Sequence, residues 1–299
     1  MSGSRNDIVE EQEAALRLSA AFGVLAQHWA VPEVELGPLE PGFTPVAALF
    51  GAEPFITAML ARQQAGTPGL DEKGAAAFFI AEYANLLGIV AAVPYLDGAL
   101  VPDLAPSNCA LAFALPPGER PRVRLRFLRV TCVRGEWAIL RAHLRTVLVA
   151  HMEPLILRLE QRTGLPPQAM WRLVADAVAA RFLEAGQKLD CEEGARTEAL
   201  AVLKEGGSPL ANPQLHFYDI VIHDEAAPPR VLARRTFRAR GGCCRYYTVP
   251  GGSYCSSCVL VDPHERRRRM EAKMRHRLGV PVAEDVGAHD LGRENGTSR

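Results

Sequence analysis

Lysine is scarce in this chain of 299 residues: only Lys73, Lys188, Lys204 and Lys273 carry it, and arginine supplies the other 30 of 34 cations. Net charge is absent too, because 34 Asp and Glu balance them. General attraction to nucleic acid or anionic lipid needs a clear positive excess, so neither is expected outside the local run Arg266 to Arg269. Long apolar runs are missing. The longest uncharged one, Tyr83 to Leu96, has 14 residues including Pro94, short of the ~20 that cross a bilayer, and reads as a core helix. Met1 to Glu13 carries Asp7, Glu10, Glu11 and Glu13 where an export signal would place cations and then an apolar stretch; no export is expected. Also lacking are a G-x-G-x-x-G after a strand, a phosphate loop, H-E-x-x-H and G-x-S-x-G, so a bound flavin or nicotinamide is not expected and electrons would come from outside. Disulfide frameworks need paired, regularly spaced cysteines. Seven cysteines, irregular over most of the chain, fit a reducing, cytoplasmic compartment.

With 48% hydrophobic and 23% charged residues, the composition is that of an ordinary globular protein. Helical spacing predicts a helix from an Asp7 cap to about His28, a second over Phe55 to Gln64 after Pro54, and a third over Lys73 to Val93, apolar almost all round and therefore buried. Val123, Leu125 and Phe127 alternate with Arg124 and Arg126, which predicts a half-buried strand. Pro116-Pro117-Gly118 would turn the chain into it from a strand at Cys109 to Leu115. Helices are predicted again over Trp137 to Gln161, kinked or split at Pro154, then over Gln168 to Ala185 and Glu192 to Lys204, the last ended by Gly206-Gly207. Period-two runs at Leu215 to Ile222 and Val231 to Phe237 predict a second hairpin. Pro263 would start a basic helix, and the last twenty residues read as a disordered tail. The expected class is α+β and predominantly helical, with two short β-hairpin regions and a C-terminal segment of special composition. Its expected divisions are 1–235, 236–262 and 263–299.

That segment carries the chemistry. Gly241 to Cys258 reads GGCCRYYTVPGGSYCSSC, so Cys243, Cys244, Cys255 and Cys258 follow C-C-x10-C-x2-C. Four thiolates complete the shell of one zinc ion or of a two-iron cluster. The x2 pair is the usual knuckle aiming two sulfurs at one metal, and Pro250-Gly251-Gly252 supplies the reversal that returns it to Cys243-Cys244. Adjacent side chains diverge, which suits the wider two-iron target better than a single tetrahedral ion; a vicinal disulfide is the remaining alternative.

Taken with Arg238 and Arg240 ahead of it and Arg245-Tyr246-Tyr247 within it, this spacing resembles the C-terminal signature of the siderophore-iron reductase family, FhuF type. Trp171 in its helix and the apolar helix ending at Val93-Pro94 stand in the order that family shows, so the resemblance runs from about Phe55 to Leu260. It implies a [2Fe-2S] cluster held by Cys243, Cys244, Cys255 and Cys258. It further implies one-electron reduction of Fe(III) bound to a hydroxamate-type siderophore in the cytoplasm, with release of Fe(II). An external donor such as a ferredoxin or an NAD(P)H-dependent reductase would supply the electron. Peripheral association with the inner face of the membrane is compatible with the basic helix. Arg172, Leu173 and Val174 stand where the family has polar residues after its tryptophan, and about forty residues follow Cys258. Two other classes stay open on the residues alone: a non-enzymatic four-cysteine zinc-binding or redox-sensing protein, and a siderophore-binding protein without turnover.

Arg238, Arg240 and Arg245 are expected to raise a cluster's potential by stabilising its more negative reduced form. Elsewhere the plain reading prevails. Cys109, Cys132 and Cys191 stand alone as small core hydrophobes, His151 beside Pro154 reads as structural, Tyr83 and Trp171 as core aromatics, and Arg266 to Arg269 as the solvated face of a terminal helix.

Overall fold

A computed structural model describes residues 7–8, 10–30, 32–114, 122–224, 226 and 228–280. The expected turn at Pro116-Pro117-Gly118 and the C-terminal tail lie outside these. Strand β1 (Asp7–Ile8) precedes helix α1 (Glu11–His28), then come β2 (Glu33–Leu36), β3 (Thr44–Pro45), α2 (Val46–Gly51), α3 (Glu53–Gly66) and α4 (Glu72–Gly98). Next are β4 (Leu100–Pro102), β5 (Cys109–Ala114), β6 (Arg122–Phe127), β7 (Cys132–Arg134), α5 (Trp137–Thr163), α6 (Pro167–Lys188) and α7 (Glu192–Leu203). The chain closes with β8 (His216–His223), β9 (Val231–Ala239) and α8 (Pro263–Arg277). The fold is α+β and predominantly helical.

Helix α4 is the axis. Its apolar residues leave no polar stripe, and α1, α3, α5 and α6 cover it on different sides. By length and composition it is apolar enough to cross a membrane, yet 72% of its most apolar window is buried by those neighbours. It runs through Pro94 to Gly98 instead of stopping at Val93, and Ala99 ends it in the left-handed region at φ 49°. Likewise α5 is one helix across Pro154. A proline removes one backbone hydrogen bond, and here the close packing on both helices offsets that loss. Asp7 does not cap α1; it pairs with Arg134 in β7, and the helix starts at Glu11.

Sheet order is β1-β7-β4, β2-β6-β5-β3 and β8-β9. Both expected hairpins are present as the antiparallel pairs β5–β6 and β8–β9. The sequence pattern did not show that β2 would add to β6 in parallel, placing Glu33 opposite Arg124 and Glu35 opposite Arg126. Arg124 donates to Glu35 at 2.7 Å, and Arg126 is buried, donating to Glu35 and to the Pro38 carbonyl with its guanidinium over the Phe43 ring. Counter-charges and a ring face thus admit an arginine into what alternation marked as the wet side.

His151 is fully buried, its Nε2 2.7 Å from the Tyr83 hydroxyl and its Nδ1 against the Leu104 carbonyl. Tyr83 stacks on it and Phe50 meets it edge-on, so the pair belongs to the core. Burial holds the imidazole pKa down to about 4, with the Leu104 contact opposing. The unfolded chain, titrating near 6.5, then binds more protons between pH 6.5 and 4, so stability is intact above that window and falls as pH drops through it. The full loss is about 3 kcal/mol. Urea titrations across pH should show this slope, and His151→Gln should flatten it; an unchanged slope in that variant would contradict the assignment.

Candidate metal centre

Strand β9 delivers the chain to Arg240, whose guanidinium lies 3.7 Å from the Asp176 carboxylate on α6. Asp176 is buried, and it accepts hydrogen bonds from the backbone N–H of Gly241 at 3.0 Å and of Gly242 at 2.8 Å. One carboxylate therefore clamps the two residues ahead of the first cysteine. The glycines are required by close approach: a Cβ at 241 would stand 2.0 Å from Asn212, and one at 242 would stand 2.9 Å from the Leu173 backbone nitrogen. Leu173 and Val174, where polar residues were expected, are buried in the core beneath this contact. They shape the seat of the segment.

After Cys243 and Cys244 the chain reverses at Arg245, a non-glycine residue at φ 63°. A single 3-10 turn, Tyr246–Thr248, follows, and Gly252 donates to the Val249 carbonyl at 2.7 Å. A second tight turn, Cys258 N–H to Cys255 carbonyl at 2.9 Å, sets the x2 knuckle. The outcome is that Cys243, Cys244, Cys255 and Cys258 line one small hollow with Tyr246, Tyr247 and Tyr254. The left-handed residue that follows the vicinal pair turns the chain back toward the Cys255–Cys258 knuckle. No two of the seven cysteines are joined as a disulfide in the structure. Among the described residues no three Cys, His, Asp or Glu side chains are gathered tightly enough to grip one metal ion. The four sulfurs face a common space without meeting at a point.

Backbone donors point at these sulfurs. The N–H of Arg245 donates to Cys243 Sγ at 3.4 Å, and those of Tyr246 and Leu260 to Cys244 and Cys258. Such bonds favour thiolate over thiol and tune a cluster's potential. Arg240 adds a buried positive charge beside Cys244, Cys255 and Cys258. Without a metal, Cys244 is nonetheless held well above the usual thiol range by its hydrogen bond with Cys255 and by burial, which outweigh Arg240 and the Tyr246 N–H. Burial likewise raises Cys258. Loading the site must displace those protons, so uptake should be favoured by rising pH. Four cysteine donors, backbone N–H groups aimed at sulfur and one buried counter-charge fit a sulfide-bridged pair of irons.

The segment is tied down on its far side as well. Val249 enters the main core, Pro250 sits on Gly69, and Arg245 donates to Asp71 at 2.8 Å. Asp71 also caps α4 through the Gly74 N–H at 2.6 Å. Burial would raise its carboxyl, but Arg245 and the Gly74 N–H outweigh it and hold it low. Both arginines have a carboxylate partner, but Arg245 is hydrogen-bonded to Asp71 at 2.8 Å, whereas Arg240 stands 3.7 Å from Asp176 and beside three of the four sulfurs. Arg240→Gln is expected to lower the midpoint potential by roughly 50–100 mV, and Arg245→Gln by much less. A spectroelectrochemical titration giving equal shifts would contradict this ranking.

Cys109, Cys132 and Cys191 lie away from the hollow, and burial raises each thiol. Trp171 and Tyr83 are core residues, as read from spacing. Asp176 was not anticipated. Its signal was an acid in the middle of the apolar face Leu173, Val174, Ala177 and Val178, a place where charge occurs only with a partner.

Two family models match the chain. Residues 79–219 match the ferric iron reductase FhuF-like transporter, and residues 240–260, which include all four cysteines of the hollow, match the FhuF 2Fe-2S C-terminal domain. The chain belongs to the FhuF-type siderophore-iron reductase family. Together the two spans take in more than half of its length, and the cofactor of this family's C-terminal domain is a [2Fe-2S] cluster. No protein of curated function matches the chain. Within the FhuF-type frame, α4 from Phe79 onward, α5, α6 and α7 fall in the larger span, and the Asp176 clamp joins it to the smaller one.

Proposed function

We propose that this protein is a cytoplasmic ferric-siderophore reductase, which takes Fe(III) held by a hydroxamate-type chelator as substrate and releases Fe(II). The carrying observation is the hollow itself: four cysteines with backbone N–H donors at the sulfurs, rimmed by exposed Tyr247 and Tyr254. Cys243, Cys244, Cys255 and Cys258 would hold the [2Fe-2S] cluster, which supplies one electron at a time when bound. One electron suffices for the task, because ferrous iron is a softer, more weakly held guest of hard oxygen ligands.

The chain's own residues set the conditions. Asp176 and the two glycines keep Cys243 and Cys244 in place, so little reorganises when charge changes. Arg240 stabilises added negative charge at the sulfurs, and its ion pair with Asp176 keeps that cation where it is needed. Tyr247 and Tyr254, 5.4 Å apart between ring centres and well exposed, form a surface on which a chelate can approach.

The protein as isolated should absorb between ~400 and ~600 nm and contain iron and sulfide in equal amounts. Reduced anaerobically and mixed with a ferric hydroxamate and a ferrous trap, it should yield one ferrous complex per cluster. Colourless protein containing zinc, or a cluster that stays reduced beside the chelate, would end this reading.

A further inference from the structure

Charge is distributed unevenly along this neutral chain. Residues 230–280 contain thirteen Arg and Lys against three Asp and Glu, and four of those cations, Arg230, Arg234, Arg240 and Arg245, pair with acids outside the stretch. This cationic stretch is β9, the cysteine segment and α8, continuous in the chain, with α8 packed on β8 of the third sheet. In it Arg235, Arg267 and Arg268 are exposed, whereas Arg234 alternates to the other side of the sheet and pairs with Asp219. An apolar rim lies in the same unit: Tyr247, Tyr254 and Leu260 are 38%, 44% and 52% exposed, and both tyrosines line the hollow. Exposed aromatic groups at a redox site within a cationic field are the features of a weak, electrostatically steered electron-transfer interface.

We infer that this face docks an acidic one-electron carrier protein, which reaches the cysteine hollow through the basic field of β9 and α8. The inference rests on the reductase reading. Each encounter moves one electron inward and leaves the carrier oxidised by one, with no bond made or broken. A lipid surface is less well matched. Helix α8 has no apolar stripe left to insert, because Met270, Ala272 and Met274 pack inward, the two methionines against Ile220 and Ile222 of β8. What α8 offers outward is charge and the ion pairs of Glu265 with Arg268 and Arg269.

The test uses the cluster-loaded full chain, titrated calorimetrically with an oxidised plant-type ferredoxin as the acidic probe and with a basic cytochrome c as control. Binding to the ferredoxin alone is expected, weakening about tenfold or more between roughly 50 and 200 mM salt. Arg235→Glu/Arg268→Glu should weaken it at least tenfold, and Arg235→Gln/Arg268→Gln by an intermediate factor. Visible spectrum and reduction by dithionite should stay unchanged in both. Arg17→Glu/Arg129→Glu, which alters net charge equally outside the unit, should bind as the parent does. Absence of ferredoxin binding, or binding indifferent to salt and to these substitutions, overturns the inference. So does sedimentation with phosphatidylglycerol vesicles that the Arg235→Glu/Arg268→Glu protein loses while ferredoxin is not bound. Failure of dithionite-reduced protein to release iron from a ferric hydroxamate would instead refute the reductase reading, whatever the binding data.

Discussion

Serine in place of any one of Cys243, Cys244, Cys255 or Cys258 is expected to abolish the visible absorption and the iron-releasing activity together, with the far-UV signal of the helices retained. All four side chains line the same hollow, and a cluster that needs four sulfurs has no spare donor nearby: the other three cysteines are elsewhere, with thiols raised by burial. Cys109→Ser, Cys132→Ser and Cys191→Ser should therefore leave the colour intact. Retention of full absorption and activity in any of the first four variants would remove that residue from the coordination sphere. The helical part should survive because the main core is built from α1 to α7, to which the segment contributes Val249 at its margin.

Loss of the Asp176 carboxylate is expected to be nearly as severe. Asp176→Leu leaves the N–H groups of Gly241 and Gly242 and the guanidinium of Arg240 without their buried acceptor. Breaking one side of a buried ion pair costs about 3–5 kcal/mol, because the remaining charge stays desolvated and unpaired. Stability should fall by that order in urea unfolding. Cluster loss to a chelator should also accelerate roughly 10–100-fold, the usual effect of removing a group that orients the ligands of a metal. Asp176→Asn keeps one acceptor and should lie between. Unchanged stability and retention in Asp176→Leu would show that the clamp is incidental.

The two expectations probe different levels of one arrangement. Cysteines supply the donor chemistry, whereas Asp176, Asn212 and Leu173 determine where the donors stand. A substitution at Gly241 or Gly242 should resemble Asp176→Leu more than a cysteine variant, since its harm would come through displaced backbone against α6. Asp71 is the counterpart on the opposite side: it holds the start of α4 and Arg245 at once, so the end of the core helix and the turn after the vicinal cysteines share one carboxylate.

Helical and strand periodicity located α3 to α7 and the strands β5, β6, β8 and β9 within a few residues, because each buries one face or all faces and its apolar spacing records that. The short strands β2, β3, β4 and β7 escaped notice. Segments of two to four residues carry too little pattern, and β2 pairs in parallel with a strand far along the chain, a choice settled by Glu35 meeting Arg124 and Arg126. Pro94 and Pro154 were read as helix ends or kinks from local sterics, but the helices pass through them where tertiary packing supports both sides.

At the site, donor number and spacing were legible in the linear order, since a C-C-x10-C-x2-C run within sixteen residues limits what four thiols can do. The reversal after the vicinal pair was not, because it depends on a left-handed conformation at Arg245, a residue type that does not announce one. Nor was the ranking of the arginines. Arg238, Arg240 and Arg245 look equivalent in sequence, and their roles diverge through contacts with residues up to 174 positions away: Arg240 against Asp176 and three sulfurs, Arg245 against Asp71. Sequence alone thus determined the chemistry, by setting ligand identity and spacing along a short stretch of chain. Tertiary structure decided the electrostatics, because which arginine stands beside the sulfurs, and how closely a carboxylate holds each one, depends on partners that only folding brings together.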